Sequence, residues 1–255
     1  MKTCFIGAGR TGRALAKYLE TRGVTVTGFY DKNGGGNFAD IPALAAASDA
    51  IFITVPDDEI ASVWQQLKKE NLKNKNICHC SGTLTSQVFE GIEKSGARGF
   101  SVHPLAAVSG PDAPLDNIWF TIEGAEPAAV KPLFKNHLVI SPEQKPRYHA
   151  AAVFISNFVT ALASAGGKEF AARGVPEAAW KELFFANAAN IYKDGIIPSL
   201  TGPVERGDGN TVAAHLAVLD GENKEIYKIL SKVLLKLAKE KHPGKNYKLL
   251  EKELK

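Results

Sequence analysis

Cysteine is scarce in this chain, three in 255 residues, and where they sit excludes two classes of protein. Cys4, Cys78 and Cys80 lie in strand-like segments, without the spacing of a disulfide framework or of a four-ligand zinc site. Cys78-His79-Cys80 has metal-ligating residue types, but alternate residues of a strand face the same way, so His79 should point away from both thiols. Net charge is also small, +4. Between Asp220 and Lys255 ten Lys stand against six acids, which leaves the rest of the chain neutral. Lys224, Lys228, Lys232 and Lys236 recur at helical spacing opposite Ile226, Leu230, Val233, Leu234 and Leu237. That is the pattern of a solvated helix face rather than of a nucleic-acid arm. Internal repeats and low-complexity segments are missing, and no signal peptide precedes the first strand. One run lacks charge altogether, the 18 residues from Ala150 to Gly167, and by length it is a formal transmembrane candidate. Ser156, Asn157, Thr160, Ser164 and Gly166-Gly167 predict instead a helix buried in protein. The expectation is a cytoplasmic protein with no metal, no nucleic-acid partner and no membrane span.

What the sequence does have begins at its first residues. Lys2 to Ile6 reads as a short buried strand that runs into Gly7-Ala8-Gly9-Arg10-Thr11-Gly12, and a helical pattern with Ala14, Leu15 and Leu19 follows. This is G-x-G-x-x-G between a strand and a helix N-terminus, the setting in which the motif binds a dinucleotide. Gly7 permits the sharp turn, Gly9 lets a pyrophosphate approach the backbone, and Gly12 lets the helix pack close to the strand. The free N–H groups of Arg10, Thr11 and their neighbours, at the positive end of the helix dipole, receive the phosphates. A second strand, Val24 to Tyr30, ends at Asp31, about 20 residues beyond the glycines, where an acid hydrogen-bonds the ribose hydroxyls of NAD. The plain structural alternative is a glycine turn followed by an Asp that caps the next loop. Asp31 would repel a ribose 2′-phosphate and so favours NAD; Lys32 and Arg10 are near enough in sequence to offset it, which keeps NADP open.

Strands alternate with helical or loop segments as far as Ser141. They are expected at Ala50–Pro56, Asn76–Cys80, Gly99–His103, Trp119–Ile122 and Leu138–Ile140. Beyond Pro146 the pattern is helical, near 147–172, 176–194, 208–219 and 222–241. The fold class is therefore α/β: a doubly wound, mainly parallel Rossmann sheet over residues 1–145, followed by an all-helical domain over residues 146–255.

Ligands of open α/β sheets bind outside the carboxyl ends of the strands, and here those ends are polar or turn-rich. Val55 and Pro56 form an apolar wall suited to the adenosine or ribose. Asp57 reads as a cap of the following helix. Ser81 and His103, at neighbouring strand ends, would flank a nicotinamide, although a lone His is as often structural. In the helical half, His149 and Asn157 are spaced to lie near one face of a helix. Asn157 is either a satisfied core amide or a group that faces substrate. Leu200 to Asp208 is a turn dense in glycine and proline that displays Thr201, Arg206 and Asp208. Asp208 suits a helix cap; Arg206 suits bidentate capture of a substrate carboxylate.

These motifs together resemble a family of Rossmann-like oxidoreductases whose helical C-terminal half is a domain of unknown function. They are Gly7–Gly12, Val55-Pro56-Asp57-Asp58, His79–Gly82, His103-Pro104-Leu105, Tyr148–Ala152 with Asn157, and Leu200–Asp208. The family is similar to 6-phosphogluconate dehydrogenase, β-hydroxyacid dehydrogenases, ketopantoate reductase and pyrroline-5-carboxylate reductase. The resemblance implies reduction of a small carbonyl or 2-oxo acid with NAD or NADP, with 2-dehydropantoate as the specific candidate. It also implies a homodimer built through the helical domains. One departure stands out. The related dehydrogenases carry a catalytic Lys four residues before an Asn on the first helix after the Rossmann domain, and here Val153 precedes Asn157 at that distance. The proton would then come from His103 or His149. On this reading Thr201 and Arg206 hold the substrate carboxylate between the domains, and Asn157 its carbonyl or hydroxyl. Two other readings stay open: a non-catalytic dinucleotide-binding redox sensor, and an imine reductase similar to pyrroline-5-carboxylate reductase.

Overall fold

The computed structural model describes all 255 residues, which form two compact units, Met1–Asn157 and Phe158–Lys255. In the first unit the elements run β1 (Lys2–Ile6), α1 (Arg10–Thr21), β2 (Thr25–Tyr30), α2 (Ile41–Ala46), β3 (Ala50–Ile53), α3 (Asp57–Leu67) and β4 (Asn76–His79). They continue with β5 (Arg98–Pro104), β6 (Trp119–Gly124), β7 (Asn136–Val139) and α4 (Lys145–Ile155). The sheet has the order β2-β1-β3-β4-β5-β6-β7 and is parallel except where β6 runs against β5. This is the doubly wound sheet that the alternating pattern implies.

Strict alternation along the strands feeds two cores. Phe5, Phe52, Cys78, Phe100 and Val102 face Ala14, Leu15, Tyr18 and Leu19 of α1. Cys4, Ile6, Ile51, Ile53 and Ile77 face the other way, onto Leu44 of α2 and Ile60, Trp64 and Leu67 of α3. Strands covered on both faces read as continuous apolar runs, and Ala50–Ile53 is buried at every position. That strand stops at Ile53, short of the expected Pro56, and beyond it the Thr54 hydroxyl donates to the carbonyl of Gly7 at 2.8 Å.

The division between the units falls after Asn157 rather than at 145/146. The reason is α4: Lys145 is fully buried against the strand ends, and Tyr148 and His149 bond to residues of the sheet unit. The long helix expected over 147–172 is two helices, α4 and α5 (Asn157–Ala171). Ser156 interrupts it, its hydroxyl donating to the carbonyl of Ala152 at 2.8 Å. By length and composition the stretch Pro142–Ala171 could cross a membrane. The break leaves α5 with 15 residues, a rise of about 22 Å against the ~30 Å of a bilayer's hydrocarbon.

The second unit continues with α6 (Glu177–Asp194), α7 (Ile196–Ser199), α8 (Pro203–Arg206), α9 (Gly209–Val218), α10 (Gly221–Lys241) and α11 (Lys248–Glu253). Its core joins Leu200, Val204, Val212, Leu216, Leu235 and Leu250. On α10 the buried residues are Ser231, Leu235 and Ala238, so the face expected to be buried is turned, and Ile226, Leu230 and Val233 remain open. The uncharged run was expected inside the protein, but α5 and α6 bury no residue within this chain. Phe158, Leu183, Phe185 and Tyr192 are exposed on them, the last at 93%.

Candidate functional site

The glycine turn is built as a cradle. Gly7 sits at φ +102, and a Cβ there would meet the Thr54 carbonyl oxygen at 2.8 Å. A Cβ on Gly12 would lie 2.5 Å from the Gly7 carbonyl oxygen, so α1 can approach the strand only without a side chain at that position. Gly9 differs from both: a Cβ there would meet nothing within 4 Å. Its glycine answers no need of the fold, and the space above it is open. Gly9 caps α1 without a side-chain hydrogen bond, and no acid lies in the first turn. Arg10 and Thr11 therefore begin a helix whose first N–H groups and positive dipole end face that space uncountered. Gly7, Gly9, Asp31, Val55 and Pro56 line one cleft of about 300 Å³, with Ile41 and Val63 on its apolar side.

Asp31 is anchored at the mouth of this cleft. One carboxylate oxygen accepts the Ala8 N–H at 2.8 Å and the other the Asn33 N–H at 2.9 Å. Those two bonds, the Ala8 one first, hold its carboxyl below the usual range. Asp31 thus caps the loop that follows it and ties the glycine turn to the end of β2. Lys32, one of the two cations that could offset it, is paired with Glu59 at 2.7 Å. Arg13 donates to the carbonyls of Ala8 and Gly35 and lies over the Phe29 ring.

A second cluster gathers at the ends of β4 and β5. Ser81 follows β4, but its hydroxyl is already occupied. It donates to Asp57 at 2.6 Å and accepts from the backbone N–H groups of Thr83 and Leu84. It shapes the turn and is not a free hydroxyl. Asp57 opens α3 and receives that hydroxyl, so it joins the helix end to the β4 turn. His103, on β5, is hydrogen-bonded through Nδ1 to the Tyr148 hydroxyl at 2.9 Å. His149 is hydrogen-bonded through Nδ1 to the Thr83 hydroxyl at 2.8 Å, and its ring meets that of His103 edge-on at 5.6 Å. Both expected histidines are thus in one place, held there by α4.

Burial, together with the nearby charges of His149 and Lys145, pushes His103 down to about 4. Its ring is therefore neutral at pH 7 in the chain without ligand. His79 lies on the opposite face of β4 from Cys78 and Cys80, against Phe89. Its Nδ1 accepts the Ser81 N–H and its Nε2 bonds the Thr85 carbonyl. Burial holds it near 4 as well.

Sequence reading passed over two members of the cluster. Lys145 is fully buried at the start of α4 and donates to the Ser101 hydroxyl at 2.7 Å and to the Ser81 carbonyl at 3.2 Å. Burial lowers its pKa, against the opposing charges of Glu123 and Asp57. Tyr148 was noticed only as part of a motif. A lysine next to Pro146 looks like an ordinary helix start, and only the fold carries it to the strand ends.

Asn157 does not share a helix face with His149, since Ser156 separates the two helices; it is exposed and accepts from the Ser156 hydroxyl at 2.9 Å. In the second unit Asp208 caps α9 as expected, accepting from the Thr211 N–H and hydroxyl. Arg206 ends α8, exposed, and helps to hold Asp208 ionised. Thr201 lines an apolar cleft of about 460 Å³ with Leu162, Tyr227 and Leu230.

Residues 118–234 match a family described as a domain of unknown function, DUF2520. A candidate NADP oxidoreductase from Bacteroides fragilis superposes with a TM-score of 0.73 at 20% identity, over 92% of this chain and 98% of its own. The likeness is one of fold, a Rossmann-type sheet followed by a helical region. A protein from Thermotoga maritima is similar at 28% identity and a TM-score of 0.68, over 93% of this chain and 98% of that one. An imine reductase from Streptomyces aurantiacus shares 16% identity at a TM-score of 0.54, with both chains covered in full. No curated protein matches the sequence.

Proposed function

We propose that this protein is an NAD(P)H-dependent reductase of a small carbonyl compound or 2-oxo acid, with 2-dehydropantoate as the specific candidate. One observation carries the reading: the open space above Gly9, beside an Asp31 anchored at the end of β2, with the polar cluster of His103, Tyr148 and His149 at neighbouring strand ends. Gly7, Gly9, Gly12 and the first N–H groups of α1, at Arg10 and Thr11, would hold the pyrophosphate; Asp31, Val55 and Pro56 would hold the adenosine end. A bound reduced nicotinamide supplies the hydride. The chain supplies orientation, exclusion of water and a proton. Asp31, with Lys32 already paired to Glu59, supports NADH over NADPH.

For a substrate carboxylate we propose Arg206, with Thr201 as a hydrogen-bonding partner, because a guanidinium grips a carboxylate with two bonds. Asn157, exposed at the break between α4 and α5, is proposed for the substrate carbonyl or hydroxyl. The apolar faces of α5 and α6 support a homodimer through the helical domain. Three unpaired thiols support a reducing, cytoplasmic setting.

A second reading is imine reduction. A neutral His103 favours it, since an iminium arrives with its own proton and needs no acid from the protein. The deciding experiment is a panel of 2-oxo acids, 2-dehydropantoate included, and cyclic imines such as pyrroline-5-carboxylate, followed by NADH and NADPH absorbance. Turnover of an oxo acid supports the first reading and turnover of imines alone the second. Tight cofactor binding with no turnover of either class would favour a dinucleotide sensor.

A further inference from the structure

His103, buried and held neutral, makes a directed hydrogen bond to a phenol. Tyr148 stands on the first helix after the sheet, half-buried, with its hydroxyl 2.9 Å from His103 Nδ1 and its ring edge-on to the imidazole. Thr121 lies directly across the strand pair from His103 and stands beside the phenol. The buried Thr121 hydroxyl has no hydrogen bond of normal geometry. His149 closes the other side of the imidazole, seated where Gly82 has no side chain.

We propose that Tyr148 is the proton donor of the site, its hydroxyl aimed at the substrate oxygen while the Nδ1–H of His103 donates to the phenolic oxygen. The inference rests on the reductase reading above. As the carbonyl carbon gains a hydride, the C=O π pair moves to oxygen, which forms an O–H bond with the proton that leaves Tyr148. The phenolate left behind accepts a hydrogen bond from His103 Nδ1–H and takes its proton back from water once product departs. Burial raises the phenol's pKa, and an alkoxide is still by far the stronger base, so the transfer runs downhill. Lys145 directs two of its three ammonium N–H bonds to Ser101 and Ser81. His103 here is a positioning residue: it orients the phenol and steadies the phenolate without changing charge.

The assignment requires the proton of neutral His103 to sit on Nδ1, the less common tautomer in water, and this is measurable without any substrate. In the full chain, nitrogen-15 spectra of the histidine rings at neutral pH should show His103 neutral and protonated at Nδ1. Tyr148→Phe should return the ring to the Nε2-protonated form. A wild-type His103 protonated at Nε2, with Nδ1 accepting from the phenol, overturns the proposal. So does a ring signal that Tyr148→Phe leaves unmoved. In turnover, Tyr148→Phe should lower the rate by about 10²–10⁴-fold, with cofactor affinity unchanged within a factor of two. A variant that keeps more than a third of the wild-type rate also overturns it. Failure of the wild-type protein to reduce any carbonyl in the panel counts against the reductase reading itself, while the tautomer still judges the Tyr148–His103 pair.

Discussion

The imidazole of His149 rests on Gly82: a Cβ at position 82 would overlap Cδ2 of the ring. The glycine that follows Ser81 at the end of β4 is therefore the seat of a side chain arriving from α4. Gly82→Ala should push His149 aside, break its bond to the Thr83 hydroxyl and lower stability by about 1–3 kcal/mol, the usual cost of forcing a methyl group into a filled site. Urea denaturation measures the loss. A Gly82→Ala variant with wild-type stability would mean that His149 moves away freely and is not held there.

Asp31 should matter twice. Asp31→Ser removes a negative charge from the ribose end of the cleft and should improve NADPH relative to NADH. It also removes the acceptor of the Ala8 and Asn33 N–H groups, so affinity for both cofactors should fall. Titration with the two reduced cofactors separates the effects. An unchanged NADPH-to-NADH ratio would show that Asp31 only braces the turn.

The Rossmann sheet was legible because its signals are local. Strand, glycine turn, helix and acid all fall between Lys2 and Asp31, and a continuous apolar run such as Ala50–Ile53 marks a strand covered on both faces. The second cluster was only half legible. His103 and His149 stand out by type and position, whereas Lys145 and Tyr148 acquire meaning only when α4 packs on strands more than 40 residues earlier in the sequence. The partners of Ser81 were not legible, because a hydroxyl at a strand end reads as free and its three bonds within the turn and to Asp57 depend on backbone geometry. The helix face expected to carry both His149 and Asn157 is broken, because the helical pattern runs on through Ser156, where the backbone breaks. The exposed faces of α5 and α6 explain why an uncharged run could be read as buried: composition reports that a surface wants covering and is silent on what covers it.

Acid should destabilise the protein through its neutral histidines. His79 and His103 are held near pKa 4, below the ordinary 6.5, so the unfolded chain binds their protons first as pH falls. Their contribution is complete above about pH 6.5 and is lost as pH falls toward 4, up to about 3 kcal/mol for each. Denaturation midpoints between pH 7 and pH 4.5 should fall steadily, and His79→Gln should flatten the slope. A midpoint independent of pH over that window would contradict the buried neutral state.

Light scattering at micromolar concentration should return twice the chain mass of 27.4 kDa. Phe185→Glu and Leu183→Glu on α6, at exposed positions, should shift the mass to that of one chain while leaving the first unit folded. A single-chain mass for the wild-type protein would contradict the homodimer.

The most direct measurement is calorimetric titration of NADH and NADPH into the wild-type protein and Gly9→Leu, with thermal melts of both. A Cβ at position 9 meets nothing within 4 Å, and a side chain built on it would take up the space assigned to the pyrophosphate. The account predicts saturable binding of a reduced nicotinamide dinucleotide to the wild-type protein, and no binding to a Gly9→Leu variant that melts at the wild-type temperature. No binding by the wild-type protein, or undiminished binding by Gly9→Leu, would contradict it.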